Sequence, residues 1–416
     1  MFPLYRSRFR FFVSSCLLSP FRDCVVVLEH LISPSIFSNH KLRFNESSSS
    51  LSCRMGYGGH DLMYKSYSSG KRISSAYRKR RNRRLRALMA PVLDDAKFQK
   101  AVSMLPARFN NEELFNVMTL EDDPVVCLEL FKWAGQQPRF WHDASTFHVT
   151  IRKLGAAKMY EEMENVVKLV LAVPHICSEA MFNSIIYFFA EARKLSKAVT
   201  VFKHMRKSMN LDCRPTIMTY HILFKAMLSR GKNSLVNRVY MENLSCLFRQ
   251  MVKDDIEPDL FSLNSMIKGY VISLHVNDAL RLFHQMGVVY NCLPNSFTYD
   301  YLIHGLCAQG RTTNATELCD EMKKKGFVPS GKSYNSLVNA FTLGGKIDEA
   351  LQWLWEMVES QRPVDYITYR SILDEMCRKG KQEEAMALLN KWNEMNLVNS
   401  LYRNKLLCVL DDDYRI

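Results

Sequence analysis

Apolar and polar positions alternate along this chain on two nested periods. From about residue 92, apolar residues recur at the three- and four-residue spacing of amphipathic helices. Above that lies a longer period of 35 residues, visible when 296–330 is laid over 331–365. Tyr299 then falls on Tyr334, Gly310 on Gly345, Ala315 on Ala350 and Met322 on Met357. Residues 366–400 continue the register with Tyr369, Gly380 and Ala385. Extended backwards, the register gives 260–295 (one residue longer), 217–259 (eight longer), 179–216 (three longer) and 144–178, the most degenerate of seven units.

Each unit predicts a helical hairpin. A Gly at the fifteenth position supplies the left-handed residue that ends a first helix. The small side chains of Ala198, Ala279, Ala315, Ala350 and Ala385, at the twentieth position, mark where two helices approach closely. Phe202, Phe248 and Phe283, with Met205, Met251, Met286, Met322 and Met357, form an apolar stripe on the second helix, read as core rather than as a cofactor pocket. Pro215, Pro258, Pro294 and Pro329 stop that helix before the next unit. A lone hairpin cannot bury its own apolar face, so the units must stack. The expected fold is all-α, a right-handed superhelical solenoid of tandem helix–turn–helix 35-residue repeats. Residues 92–143 are predicted as an N-terminal helical segment capping the array, its helices broken at Asp122-Asp123-Pro124, and 401–416 as a C-terminal tail.

The recurring Tyr-Asn-x-Leu-Ile…Gly…Glu-Ala…Glu-Met…Gly-x-x-Pro resembles the pentatricopeptide repeat family, over residues 144–400. Residues 123–142 resemble the lead-in of its plant members. The resemblance implies a single-stranded RNA-binding protein of organellar RNA metabolism, with about one base read per repeat. It assigns base reading to the fifth and last residues of each unit. These are His148 with Ser178, Asn183 with Thr216, His221 with Asp259, Asn264 with Asn295, Asp300 with Ser330, Asn335 with Asp365, and Arg370 with Ser400. Asn264/Asn295 resembles a pyrimidine pair and Asn335/Asp365 a uracil pair. With the family's parallel polarity, this implies a bound motif pyrimidine–any–uracil. His148 and His221 stay open between base contact and plain solvent exposure.

The second residues of neighbouring units would sandwich the base. Ala180, Met218, Phe261, Phe297 and Ile367 are apolar there, whereas Ser145 and Lys332 are not. Stacking and ordinary inter-repeat packing both account for this row. In the family a cation near the thirteenth position meets the phosphate. Here that position holds Ala156, Glu191, Ser229, Ile272, Ala308, Leu343 and Arg378, so only Arg378 qualifies. Phosphate neutralisation supplies much of nucleic-acid affinity. Its scarcity favours an alternative reading, a structural scaffold subunit of a mitochondrial ribonucleoprotein such as the ribosome.

Charge sharpens the division of the chain. Of a formal net charge of +14, residues 1–91 hold +13, with 17 Lys/Arg against Asp23, Glu29, Glu46 and Asp61. Residues 1–50 open with Arg6, Arg8, Arg10 and Arg22, lack acids before Asp23 and are rich in Ser. They are expected to be a disordered mitochondrial transit peptide, chloroplast import being the second choice and Met55 an alternative start. Residues 51–91 read as a basic low-complexity linker, densest at 71–86. The twelve cysteines form no CxxC pair and are expected as free thiols. No Gly-rich phosphate loop, nucleophile elbow, His-Glu-x-x-His or deaminase zinc signature occurs. No catalytic, metal or cofactor residue is expected, nor a small-molecule substrate or a membrane span.

Overall fold

The computed structural model describes residue 80 and residues 92–173, 176–229 and 234–412. The transit-peptide and linker expectations fall outside that range. Within it the chain is helical and divides into two compact units, meeting at Cys177/Ser178.

The N-terminal unit holds α1 (Asp95–Ser103), α2 (Asn111–Leu120), α3 (Pro124–Gly135), α4 (Ala144–Ala156) and α5 (Tyr160–Ala172). Asp123 caps α3, its carboxylate accepting from the Val125 amide at 2.9 Å, as the Asp-Asp-Pro break predicts. Ala101, Val117, Val126 and Leu130 form one cluster of its core. An aromatic cluster, Phe109, Trp133, Phe131, Phe140 and Phe147, surrounds His142, whose Nε2 lies 2.8 Å from the Phe131 carbonyl. Burial lowers the pKa of that imidazole. The first of the seven expected units therefore groups with the N-terminal segment instead of the later repeats.

The C-terminal unit contains α6 (Glu179–Glu191), α7 (Leu195–Lys207), α8 (Ile217–Leu228), α9 (Ser234–Lys253), α10 (Leu260–Ile272) and α11 (Val276–Val289). It continues with α12 (Ser296–Ala308), α13 (Thr312–Lys324), α14 (Gly331–Leu343), α15 (Ile347–Glu359), α16 (Tyr366–Arg378), α17 (Gln382–Glu394) and α18 (Ser400–Asp412). The first helices, α6, α8, α10, α12, α14, α16 and α18, pack successively on one another, while each second helix packs on its own first helix. The extra residues of unit 217–259 go into α9, at 20 residues the longest helix described.

Local chemistry fixes where helices begin and end. The first helices start on an acceptor side chain: Ser178, Asp259, Asn295, Ser330 and Asp365 each accept from the backbone amide three residues on. The second helices α7, α11, α13, α15 and α17 have no such cap. They follow a turn in which an amide reaches back to the end of the first helix, as Arg311 does to the Leu306 carbonyl and Lys346 to that of Phe341. The turn requires a left-handed residue, supplied by Gly310 (φ 69°), Gly345 (71°) and Gly380 (74°). The equivalent positions Lys158, Arg193 and Leu274 hold the same conformation without glycine, at φ 60°, 58° and 64°. There the hairpin geometry overrides a local cost of roughly 1–2 kcal/mol.

Packing follows the repeat. The five twentieth-position alanines and the Met/Phe stripe are buried. Tyr220, Tyr299, Tyr334 and Tyr369 are also buried, and three of their hydroxyls donate to an acid on or just past a second helix: Tyr220 to Asp254, which follows α9, at 2.6 Å, and Tyr299 to Glu321 and Tyr334 to Glu356, both at 2.8 Å. Each replaces a hydroxyl's lost water with a charge-assisted bond. At Gly305 first helices approach closely, since a Cβ would sit 2.9 Å from Val271 Cγ2. The nine described cysteines form no disulfide. Burial pushes the thiols of Cys127, Cys307 and Cys319 up to about 12.

The C-terminal end departs from expectation in two ways. Residues 401–412 are not a tail but most of α18, which buries Leu406 and Leu410 beside α16 and α17. The final unit is also one residue shorter, because Asn399 accepts from the Tyr402 amide at 2.8 Å and so starts α18. Asn399, not Ser400, is thus the counterpart of Asp365. Among the described residues no helix is long and apolar enough to cross a membrane, and no three His, Cys, Asp or Glu residues cluster as metal ligands.

Candidate nucleic-acid interface

On a first helix, positions two, five, nine and thirteen fall along one stripe, at three- and four-residue spacing. Because the first helices stack on one another in the C-terminal unit, their stripes lie side by side.

The second residues are exposed in every unit, including Ala180, Ser145 and Lys332. Met218, Phe261, Phe297 and Ile367 expose 43 to 66% of their surface. Packing between repeats therefore does not account for this row. Apolar side chains at regular spacing in water form a platform suited to stacking flat rings. Phe261 already leans over the His221 ring, with centroids 4.4 Å apart.

The fifth and last residues come together in four units. His221 Nε2 lies 3.0 Å from Asp259 Oδ1, and Asn264 Nδ2 donates to Asn295 Oδ1 at 3.2 Å. The Ser330 amide donates to Asp300 Oδ1 at 3.1 Å, and the Asp365 amide to Asn335 Oδ1 at 3.4 Å. Asn183 and Thr216 meet through a third residue, both donating to Glu179 Oε1, at 2.6 and 2.5 Å. Arg370 does not join its expected partner. It is exposed and pairs with Asp374 on its own helix at 3.2 Å. His148 belongs to the N-terminal unit and Ser178 opens the C-terminal one. Burial, then the Arg152 charge, lowers the His148 pKa.

Each of these last residues from Ser178 to Asp365 is also the N-cap of the next first helix, so one residue ends a repeat and starts a helix, and at Asp259 and Asn295 the same side chain also meets the fifth residue. Asp259 shows the electrostatic result. Burial works to raise its pKa, but donation from the Ser262 hydroxyl and amide and from His221 outweighs this and holds the carboxyl below its ordinary range.

A second set of residues escaped the sequence reading. The third residue of the following unit donates a hydroxyl to the fifth: Thr219 to Asn183 Oδ1 at 2.7 Å, Thr298 to Asn264 Oδ1 at 2.7 Å, and Ser333 to Asp300 Oδ1 at 2.6 Å. These buried hydroxyls fix the fifth side chain's acceptor and leave the Asn264 amide nitrogen for its partner and the open face. The signal was present, since Thr146, Thr219, Ser262, Thr298, Ser333 and Thr368 all place a hydroxyl at position three. At position thirteen, Arg378 is bound to Glu375 at 2.5 Å, and Leu343 is 81% exposed.

The fold and this periodic face define a helical-hairpin repeat protein that presents one set of side chains per repeat. Comparison with known proteins gives the class a family. Models of the PPR repeat family match residues 258–308 and 294–342, a PPR repeat matches 332–361, and a pentatricopeptide repeat domain matches 178–230. A mitochondrial pentatricopeptide repeat-containing protein of Arabidopsis thaliana is 60% identical over 64% of this chain and 60% of its own. A second mitochondrial one from that plant is 30% identical over 47% of this chain and 51% of its own. An Arabidopsis thaliana small ribosomal subunit protein is 21% identical over 70% of this chain and 38% of its own. The chain belongs to the pentatricopeptide repeat family. It spans between about two-fifths and three-fifths of the length of these relatives.

Proposed function

We propose that this protein binds single-stranded organellar RNA with sequence preference and acts by occupying or exposing a short RNA stretch, without catalysing a reaction. The observation that carries this reading is the exposed apolar row Met218, Phe261, Phe297 and Ile367, set beside fifth-and-last pairs already in contact. Bases stack between successive second residues while the pair reads the base edge. Asn264/Asn295 takes a pyrimidine and Asn335/Asp365 a uracil, one unit apart.

The test is selection from a random single-stranded RNA pool on the purified full chain, expected to enrich pyrimidine–any–uracil. Asn335→Thr leaves a Thr/Asp pair and should lose roughly 1–3 kcal/mol for uracil, by analogy with a lost base-edge contact, and shift preference to guanine there. Equal affinity of the parent for uracil and guanine at that base overturns the assignment.

A second reading is favoured by the engaged state of Arg378 and by the resemblance to a small ribosomal subunit protein: a scaffold within a mitochondrial ribonucleoprotein. Absence of any enrichment, with co-sedimentation in a large complex, would establish it instead. The proposed compartment is the mitochondrion, on the Arg-rich, acid-poor residues 1–50 and the names of the two mitochondrial relatives. A reporter fused to residues 1–50 should enter mitochondria; cytosolic or nuclear signal overturns this.

A further inference from the structure

If the thirteenth position supplies no free cation, the charge that meets an RNA backbone must sit elsewhere on the same stripe. Position nine lies one turn before position thirteen, about 6 Å nearer the fifth residue along the helix axis. In the C-terminal unit, position nine holds Tyr187, Lys225, Lys268, His304, Asn339 and Asp374. Three consecutive repeats, α8, α10 and α12, thus carry a basic side chain there.

These side chains are available. Lys225 and His304 are exposed and Lys268 is half-buried. Neither lysine is ion-paired among the described residues, in contrast to Arg370 and Arg378 on the last repeat. Lys268 Nζ lies 5.6 Å from the centre of the Tyr301 ring, on the sixth position of the next unit. His304 Nδ1 lies 2.8 Å from Ser336 Oγ, again the sixth position of the next unit. The two contacts repeat one geometry, in which the ninth residue reaches across the joint towards the following repeat. Burial, and after it the charge of Lys332 at the second position of α14, lowers the pKa of His304, so the imidazole offers the backbone a neutral hydrogen-bonding group while the lysines carry the charge. Lys268 and His304 therefore span joints between repeats, where successive nucleotides would pass.

We propose that Lys225, Lys268 and His304, completed by Lys332, form the phosphate track of this protein, gripping the RNA backbone one helical turn closer to the bases than position thirteen would. This rests on the RNA-binding reading above. The lysines supply charge; the Tyr301 ring and Ser336 hydroxyl hold two of the side chains in place. The track ends where Asn339 and Asp374 follow Lys225, Lys268 and His304 at position nine, so it serves the middle repeats, including the Asn264/Asn295 pair.

The experiment measures binding of the full chain to a labelled single-stranded RNA carrying pyrimidine–any–uracil, as a function of salt. Each phosphate contact to a single strand contributes about −0.7 to the slope of log affinity against log salt. Lys225→Gln with Lys268→Gln should therefore reduce the slope by about 1.4, equal to about sevenfold less affinity loss between 50 and 200 mM salt. Arg378→Gln should leave the slope unchanged, and enrichment of the base motif should persist in the double variant. Unaltered melting of the double variant checks that its fold is intact. A double variant that keeps the parent's slope overturns the track while leaving RNA binding standing. A parent that binds no RNA at all overturns both.

Discussion

Two apolar rows run through the same repeats and meet opposite fates. Met205, Met251, Met286, Met322 and Met357, on the second helices, have no accessible surface, whereas Met218, Phe261, Phe297 and Ile367, on the first, stand open. Burial of the first row stabilises the stack, since each of these side chains is removed from water and packed into the core. The second row contributes little to folding, because its surface is still hydrated in the folded chain. Side chains of equal hydrophobicity thus separate into a structural row and a row open to a ligand, according to whether another helix covers them.

Truncating the two rows should separate them. The largest effect is expected from Met322→Ala, which empties a site with no exposure and should cost about 2–5 kcal/mol in denaturant unfolding. Phe297→Ala should behave in the reverse manner. Its stability should stay within about 0.5 kcal/mol of the parent, while RNA binding loses about 1–3 kcal/mol of stacking. Equal losses of stability in both variants would erase the distinction between the rows.

Asp259→Ala probes a residue that belongs to both fold and face. Loss of the N-cap of α10 should cost about 1 kcal/mol. The folded carboxyl lies below its ordinary pKa, so its contribution is present above about pH 4 and disappears as acid protonates it through the lower folded value. The difference between parent and variant should therefore shrink in acid; a difference independent of pH would show that the charge is not involved. The smallest effect is expected at Leu274, exposed and left-handed. Leu274→Gly should relieve the backbone but add freedom to the unfolded chain, for a net gain of about 0.5–1 kcal/mol read as a raised melting temperature. No gain would mean that the Leu side chain stabilises the turn by contact.

Much of this was legible in the residues because it is local. The break at Asp122-Asp123-Pro124, the glycines at 310, 345 and 380, and the alanines at position twenty each satisfy a backbone or spacing requirement within one hairpin. The left-handed turns at Lys158, Arg193 and Leu274 were hidden, because nothing in those side chains announces the conformation that stacking imposes. The helix from Ser400 was hidden as well, since it is secured by tertiary contacts, the burial of Leu406 and Leu410 and the Tyr402 ring against Tyr366.

By itself the sequence determined the period, the hairpins and which residue of each unit shares a stripe with which, because helical spacing is a property of the chain alone. The tertiary structure decided which stripe was covered, that Arg370 turns to Asp374 while His221 and Asn264 turn to their partners, and that Asn399 begins the last helix. Those outcomes depend on what the neighbouring repeat places within hydrogen-bonding or van der Waals reach, and a periodic pattern names a face without naming its occupant.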